Sequence, residues 1–102
     1  MNYPTENEKE VPQDSSLISA VITLQHAINE RTISAWKHLE ENHYGSALAD
    51  LEECREFYGD IFKLFDRMNP LPNDLFVMAC HGFGTLEANI AKVASVMRST
   101  AS

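Results

Sequence analysis

The sequence predicts an all-α protein, an up-down-up antiparallel three-helix bundle with a flexible N-terminal tail. Apolar residues recur at helical spacing in three long segments, and two short segments, 43–46 and 69–74, carry turn-forming residues. No segment shows the alternation of a strand. Because short connections between long helices favour antiparallel neighbours, we expect helices at about residues 15–42, 46–68 and 74–98, within one domain over 14–98.

The ends of the chain are predicted to lie outside this bundle. Residues 1–13 contain two prolines and alternating charges but almost nothing that a core could bury, so we expect a flexible acidic tail there. Residues 99–102 are expected to fray. The chain has 102 residues, enough for one small domain with one core.

The first predicted helix is preceded by three residues that suit an N-cap, Asp14, Ser15 and Ser16. A narrow apolar arc follows at helical spacing: Leu17, Val21, Leu24, Ile28, Ala35 and Leu39. A second apolar set lies beside it: Ile18, Ile22, Ile33 and Trp36. Together the two sets span about 180°, more than two neighbouring helices would cover. The second set is therefore predicted to be an interface with another chain.

The second predicted helix has the clearest amphipathic pattern in the sequence. Gly45 is expected to end the first helix, and Ser46 is expected to cap the second. Four of the nine aromatic residues lie in this helix: Phe57, Tyr58, Phe62 and Phe65.

The third predicted helix starts after two prolines in the segment 69–74. Its main apolar stripe steps by three and four residues: Phe76, Ala79, Phe83, Leu86, Ile90, Val93 and Met97. Gly82 and Gly84 each cost roughly 1 kcal/mol in a helix interior. Whether the helix is continuous through them is left open.

A second stripe on this helix has mostly short side chains: Val77, Gly84, Ala88, Ala91 and Ser95. Short side chains allow another helix to approach closely. Either the aromatic residues of the second helix lie against this stripe, or a helix of another chain does. Gly84 then has a packing reason, whereas Gly82 has none.

Chemical motifs are sparse. Among four histidines, only Glu40 and His43 form a Glu-x-x-His pair, and a carboxylate-bridged metal centre would need a second such pair. Cys54 and Cys80 are expected to be core thiols without a disulfide. We therefore predict no catalytic residue, no metal ligand and no cofactor.

Charge restricts the possible partners. The formal net charge is −7 and no basic cluster is present, which argues against direct nucleic-acid binding. An acidic group is either a solvated face or a docking surface for a basic partner: Glu40, Glu41, Glu52, Glu53 and Glu56. No apolar run is long enough for a membrane span, and the N-terminus lacks the pattern of a signal peptide, so we expect a cytoplasmic protein.

These observations favour a small non-catalytic protein-protein interaction protein of the adaptor, secretion-chaperone or inhibitor type, acting as a homodimer or with another protein. Two alternatives remain open. One is a helical bundle that binds a small apolar ligand or a metal. The other is an acidic mimic that blocks a basic site on a nucleic-acid enzyme.

Overall fold

The computed structural model describes the backbone of residues 3–101 and the side chains of residues 15–100. Three helices make up this part of the chain: α1 (Tyr3–Glu40), α2 (Tyr44–Phe65) and α3 (Asn73–Ala101). The described residues contain no strand, so the predicted all-α class and the helical bundle are confirmed.

All six helix ends differ from the predicted bounds, the start of α1 by far the most. α1 begins at Tyr3 instead of residue 15, and α3 continues to Ala101 instead of ending at 98. Pro4 stands in the first turn of α1, where the missing N–H of proline costs nothing. The flexibility predicted for residues 1–13 and the fraying of 99–102 stay predictions, since most of these side chains lie outside the described residues.

The core is centred on α2, whose buried face is Ala47, Leu51, Cys54, Tyr58, Ile61 and Phe65. Val21, Ile28 and Ala35 of α1 lie against it from one side. Ala79, Leu86, Ile90 and Val93 of α3 complete the same buried cluster. The residues from α1 and α3 belong to the apolar arc and the main stripe that the helical periodicity predicts.

Contacts between α1 and α2 link residues whose numbers run in opposite directions. The Ser34 hydroxyl donates to Asp50 Oδ2 at 2.7 Å, and the Cys54 thiol donates to the Ile28 carbonyl at 3.5 Å. This order of contacts is that of antiparallel helices. The contact between Ser34 and Asp50 lies at the edge of the core, and the Cys54 thiol lies inside the core.

Aromatic rings dominate the contact between α2 and α3. Phe62 meets Phe83 with ring centroids 5.9 Å apart, and Phe65 meets Phe76 at 5.4 Å, both edge to face. The aromatic residues of α2 therefore pack on the bulky stripe of α3, and the interpretation that they lie against the small stripe is wrong. The edge-to-face pairs bury far more apolar surface than alanine and glycine could.

α3 is continuous through both of its glycines. A Cβ built on Gly82 would overlap the phenolic oxygen of Tyr58, which explains a glycine for which the sequence offers no reason. A Cβ built on Gly84 would meet no atom within 4 Å, so Gly84 has no packing partner among the described residues.

The connection between α1 and α2 uses a different residue from the one predicted. Asn42 has a φ of 63°, in the left-handed region that asparagine tolerates better than most residues. The His43 N–H donates to the His38 carbonyl at 2.7 Å and the Asn42 N–H to the Leu39 carbonyl at 3.1 Å, the two bonds of a Schellman motif. Gly45 lies inside α2 and does not end α1, so that prediction is wrong.

The Ser46 prediction is also wrong. The N-cap of α2 is His43, and no side chain makes a capping hydrogen bond there. The left-handed turn at Asn42 lets α2 begin at Tyr44, which leaves Ser46 within the first helical turn.

The two cysteines have different environments. Cys54 is buried and Cys80 is exposed, and both are free thiols. Burial raises the pKa of the Cys54 thiol, with a smaller opposing effect from its hydrogen bond to Thr32. The prediction of a core thiol is confirmed for Cys54 and wrong for Cys80, which lies outside the main stripe of α3.

None of the helices in the described part of the chain is long and apolar enough to cross a lipid bilayer.

Candidate functional site

A groove separates α1 from α3. Both helices pack on α2, but among the described residues no Cα atom of α1 lies within 8 Å of a Cα atom of α3. Directly packed helices have axes 8–10 Å apart, which brings some Cα atoms closer than that. The surface between α1 and α3 is therefore open, with α2 as its floor.

Cavities follow this groove along its length. The central cavity, of about 230 Å³, has Asn29 and Asn89 on its walls and Leu51 and Tyr58 on its floor. At one end, a cavity of about 450 Å³ lies beside Trp36. At the other, two cavities lie beside Met78.

The two ends of the groove are apolar and unusually exposed. Ile22 and Met78 mark one end and are 47% and 68% exposed. Trp36 and Val96 mark the other and are 43% and 41% exposed. At about 1.5 Å per residue, the groove extends roughly 21 Å along α1 and 27 Å along α3. That length fits four to five turns of a helix placed against it.

Amide and hydroxyl groups occupy the middle of the groove. The central cavity is lined by Gln25, Asn29, Thr32, Thr85 and Asn89, and the Gln25 amide donates to Asn29 Oδ1 at 3.5 Å. Each of these groups can donate and accept a hydrogen bond. The groove therefore has apolar ends and a neutral polar centre.

Tyr58 connects the groove to the core. Its ring is buried between α2 and α3, with the Phe83 ring 5.8 Å away, while its hydroxyl receives a hydrogen bond from Gln25. Burial raises the pKa of Tyr58 more than that hydrogen bond lowers it. The phenol therefore remains neutral at physiological pH.

The described lining of the groove contains no carboxylate, although the protein is acidic. Among the described residues that line the four cavities, none is Asp or Glu, and Lys92 is the only Lys or Arg. The chain as a whole has fifteen acidic residues and a net charge of −7. The described lining of the groove is thus a strip without carboxylates on a negatively charged surface.

The predicted interface residues of the first helix do not all lie in the groove. Ile22 and Trp36 line its cavities. Ile33 is 61% exposed but is not among their lining residues, and Ile18 is half-buried against the core. Half of this set therefore contributes to the groove.

The small-residue stripe of α3 lies apart from the groove except at Val77, which lines a cavity at the Met78 end. All four of its short side chains are exposed: Gly84, Ala88, Ala91 and Ser95. None of them lines any of the four cavities. These four residues and the groove are separate surfaces, and the role of the four as an interface stays a prediction.

The predicted acidic surface is exposed, and two of its carboxylates have partners nearby. Glu53 lies 3.6 Å from the Arg31 guanidinium, and Glu41 lies 3.4 Å from His43. The remaining members, Glu40, Glu52 and Glu56, are exposed. Its role as a docking surface is still a prediction.

A search of the sequence for apolar residues at helical spacing misses most residues of the groove. Gln25 and Asn29 lie on the same side of a helical wheel as Ile22 and Trp36, and Met78 and Val96 share a side with Asn89. The groove could have been predicted from neutral polar residues that lie on the same side of a helix as exposed apolar residues.

Comparison with known proteins finds no family model, no curated relative and no solved structure that matches this chain. The groove is therefore interpreted from its own residues.

Proposed function

We propose that this is a non-catalytic protein-protein interaction protein whose groove between α1 and α3 docks a second copy of the chain, groove against groove. The observation that carries the proposal is an exposed apolar groove without carboxylates on a protein of net charge −7. Exposed apolar surface of this extent is typical of a binding site.

Charge restricts where a second copy can dock. Two copies with net charge −7 repel each other wherever their acidic surfaces meet. The groove is where they can approach without placing carboxylates opposite one another.

The polar centre favours the same occupant. In a twofold dimer each surface meets an identical surface, so every group must be able to pair with its own kind. Asparagine and glutamine amides satisfy this condition because each has both donors and acceptors. Asn29 and Asn89 lie near the middle of the groove, where a twofold axis would pass. The Trp36 end of one copy would then meet the Met78 end of the other.

The size of the groove sets the expected strength. A face about 24 Å long and two helices wide covers on the order of 500 Å² per copy, near the lower limit for a specific interface. The dimer is therefore expected to be reversible, with dissociation on dilution.

A pair of charge variants tests the proposal. Asn89→Asp puts a carboxylate in the middle of the groove, whereas Ala88→Asp adds the same charge on the outer face of α3. Light scattering after size exclusion is expected to give about twice the 11.5 kDa chain mass for the native protein and Ala88→Asp at high concentration. Asn89→Asp is expected to be monomeric.

Other results would contradict this occupant. A native protein that stays monomeric at high concentration leaves the groove to an amphipathic helix of another protein or to a small apolar ligand beside Trp36. A dimer broken by Ala88→Asp and kept in Asn89→Asp would move the interface to the small-residue stripe. The adaptor, secretion-chaperone and inhibitor roles, and a cytoplasmic location, belong to the same proposal.

A further inference from the structure

The turn between α1 and α2 brings two histidines together. In a Schellman motif the third residue before the helix end and the second residue beyond it have adjacent side chains, usually apolar ones. Here these positions hold His38 and His43, with ring centroids 6.0 Å apart. The motif places imidazoles where other helix ends have an apolar contact.

Glu41 completes a cluster with these histidines. Its Oε1 lies 3.4 Å from His43 Nδ1. One ligand atom from each of the three side chains lies within 4.8 Å of the other two. Glu40, which pairs with His43 in the sequence pattern, is not part of this cluster.

A carboxylate on α2 lies near the ring of His38. Its Nε2 lies 3.7 Å from Asp50 Oδ2, which also accepts a hydrogen bond from the Ser34 hydroxyl at 2.7 Å. The Nδ1 atom of His38 is buried and has no hydrogen-bond partner. A carboxylate on one side of the ring and a free nitrogen on the other is the arrangement found in metal-binding histidines.

We propose that His38, Glu41 and His43 bind a divalent transition-metal ion, with Zn²⁺ as the expected ion. Two imidazoles and one carboxylate suit zinc, whereas Ca²⁺ and Mg²⁺ prefer oxygen ligands alone. Three protein ligands leave the fourth tetrahedral position to water. Asp50 is a positioning residue, which holds the Nε2 side of His38 so that Nδ1 binds the metal.

The required movement is small. Ligand atoms around a tetrahedral zinc ion lie roughly 3.4 Å apart, given zinc–nitrogen distances of about 2.1 Å. Glu41 and His43 have side chains 65% and 60% exposed, so they can rotate inward without disturbing the core. The ion would link Glu41 and His43 of the turn to His38 of α1. Asp50 of α2 lies beside His38, so the ion would also stabilise the contact between α1 and α2. None of the three proposed ligands lines the groove cavities, and the existence of the site does not depend on dimerisation.

Titration calorimetry of the untagged chain with Zn²⁺ tests the site. We expect one ion per chain for the native protein and for His26→Gln, whose histidine is exposed on α1. Glu41→Gln and His43→Gln are expected to weaken binding at least tenfold, because losing a ligand costs more than losing an outer partner. Circular dichroism should show native helix content in both. Zinc is expected to raise the melting temperature of the native protein and of His26→Gln only.

Two outcomes overturn the proposal. One is the absence of zinc binding at millimolar concentration. The other is binding that is equally strong in Glu41→Gln and His43→Gln, or equally weakened in His26→Gln, since either result places the ion elsewhere.

Discussion

At the scale of single residues, Tyr58 determines which side chain α3 can have at position 82. Its hydroxyl lies over the backbone of Gly82, and its ring is held between Phe62 and Phe83. Gly82 lowers the stability of the helix, but a larger residue at this position would displace the buried ring of Tyr58. Gly84, two residues along the same helix, has no such constraint.

Gly82→Ala is expected to lower the free energy of unfolding by about 1 kcal/mol, because overpacking costs roughly 1–3 kcal/mol and exceeds the helix-propensity gain of about 1 kcal/mol. Gly84→Ala, the matched control, is expected to stabilise the protein by about 1 kcal/mol. Urea denaturation at one protein concentration measures both. Equal stabilisation by the two substitutions would show that the Tyr58 ring moves freely into the groove.

The two cysteines are expected to react at very different rates with a thiol reagent. Burial raises the pKa of the Cys54 thiol, which lowers the fraction of reactive thiolate at neutral pH, and it also blocks access. Cys80 is exposed. One equivalent should therefore react quickly with the native protein and a second only after unfolding. Rapid modification of Cys54 in the folded state would contradict the buried core described for α2.

At the scale of elements, the connection between α1 and α2 depends on Asn42. The sequence favours Gly45 as the end of the first helix because glycine is the most frequent left-handed residue there. Asparagine performs this role instead, since its backbone tolerates a positive φ and the Schellman hydrogen bonds form at His43. Whether Asn42 or Gly45 ends α1 depends on where the helices pack. The conformational preferences of single residues do not specify this.

Opposite substitutions at this turn distinguish the two residues. Asn42→Ala is expected to destabilise the protein by roughly 1 kcal/mol, because alanine is strained at a positive φ. Gly45→Ala is expected to stabilise it by up to about 1 kcal/mol, because Gly45 lies in a helix and a Cβ there would meet no atom within 4 Å. Thermal or urea unfolding checks both signs, and destabilisation by Gly45→Ala would support glycine as the helix terminator.

Helical periodicity identified the buried faces but not the groove. The stripe through Phe76, Ala79 and Phe83 predicts which side of α3 is buried, because burial of apolar surface determines that side. The separation of α1 from α3 depends on how both helices pack on α2. The large rings of Phe62 and Phe65 contribute to that geometry through contacts between elements, which a single sequence does not specify.

At the scale of the whole molecule, the distribution of charge defines the interaction surface. The net charge is −7, and the described lining of the groove cavities has no carboxylate, so two copies must overcome long-range repulsion before their grooves meet.

Salt is therefore expected to strengthen the dimer. Raising ionic strength shortens the screening length from roughly 30 Å at 0.01 M to 8 Å at 0.15 M, which reduces repulsion between the acidic surfaces. Sedimentation velocity at the two salt concentrations measures the change in dimer fraction. Dissociation by salt would instead indicate an interface held by charge pairs, such as the acidic surface around Glu52 and Glu56.

The most direct test of the groove as the docking surface is disulfide formation between copies. In a Cys80→Ser background, Asn89→Cys places a thiol at the centre of the groove, and Ala88→Cys places one on the outer face of the same helix. Under mild oxidation, Asn89→Cys is expected to form a covalent dimer at protein concentrations where Ala88→Cys remains a monomer. Equal yields from both, or a higher yield from Ala88→Cys, would contradict the docking of one groove against another.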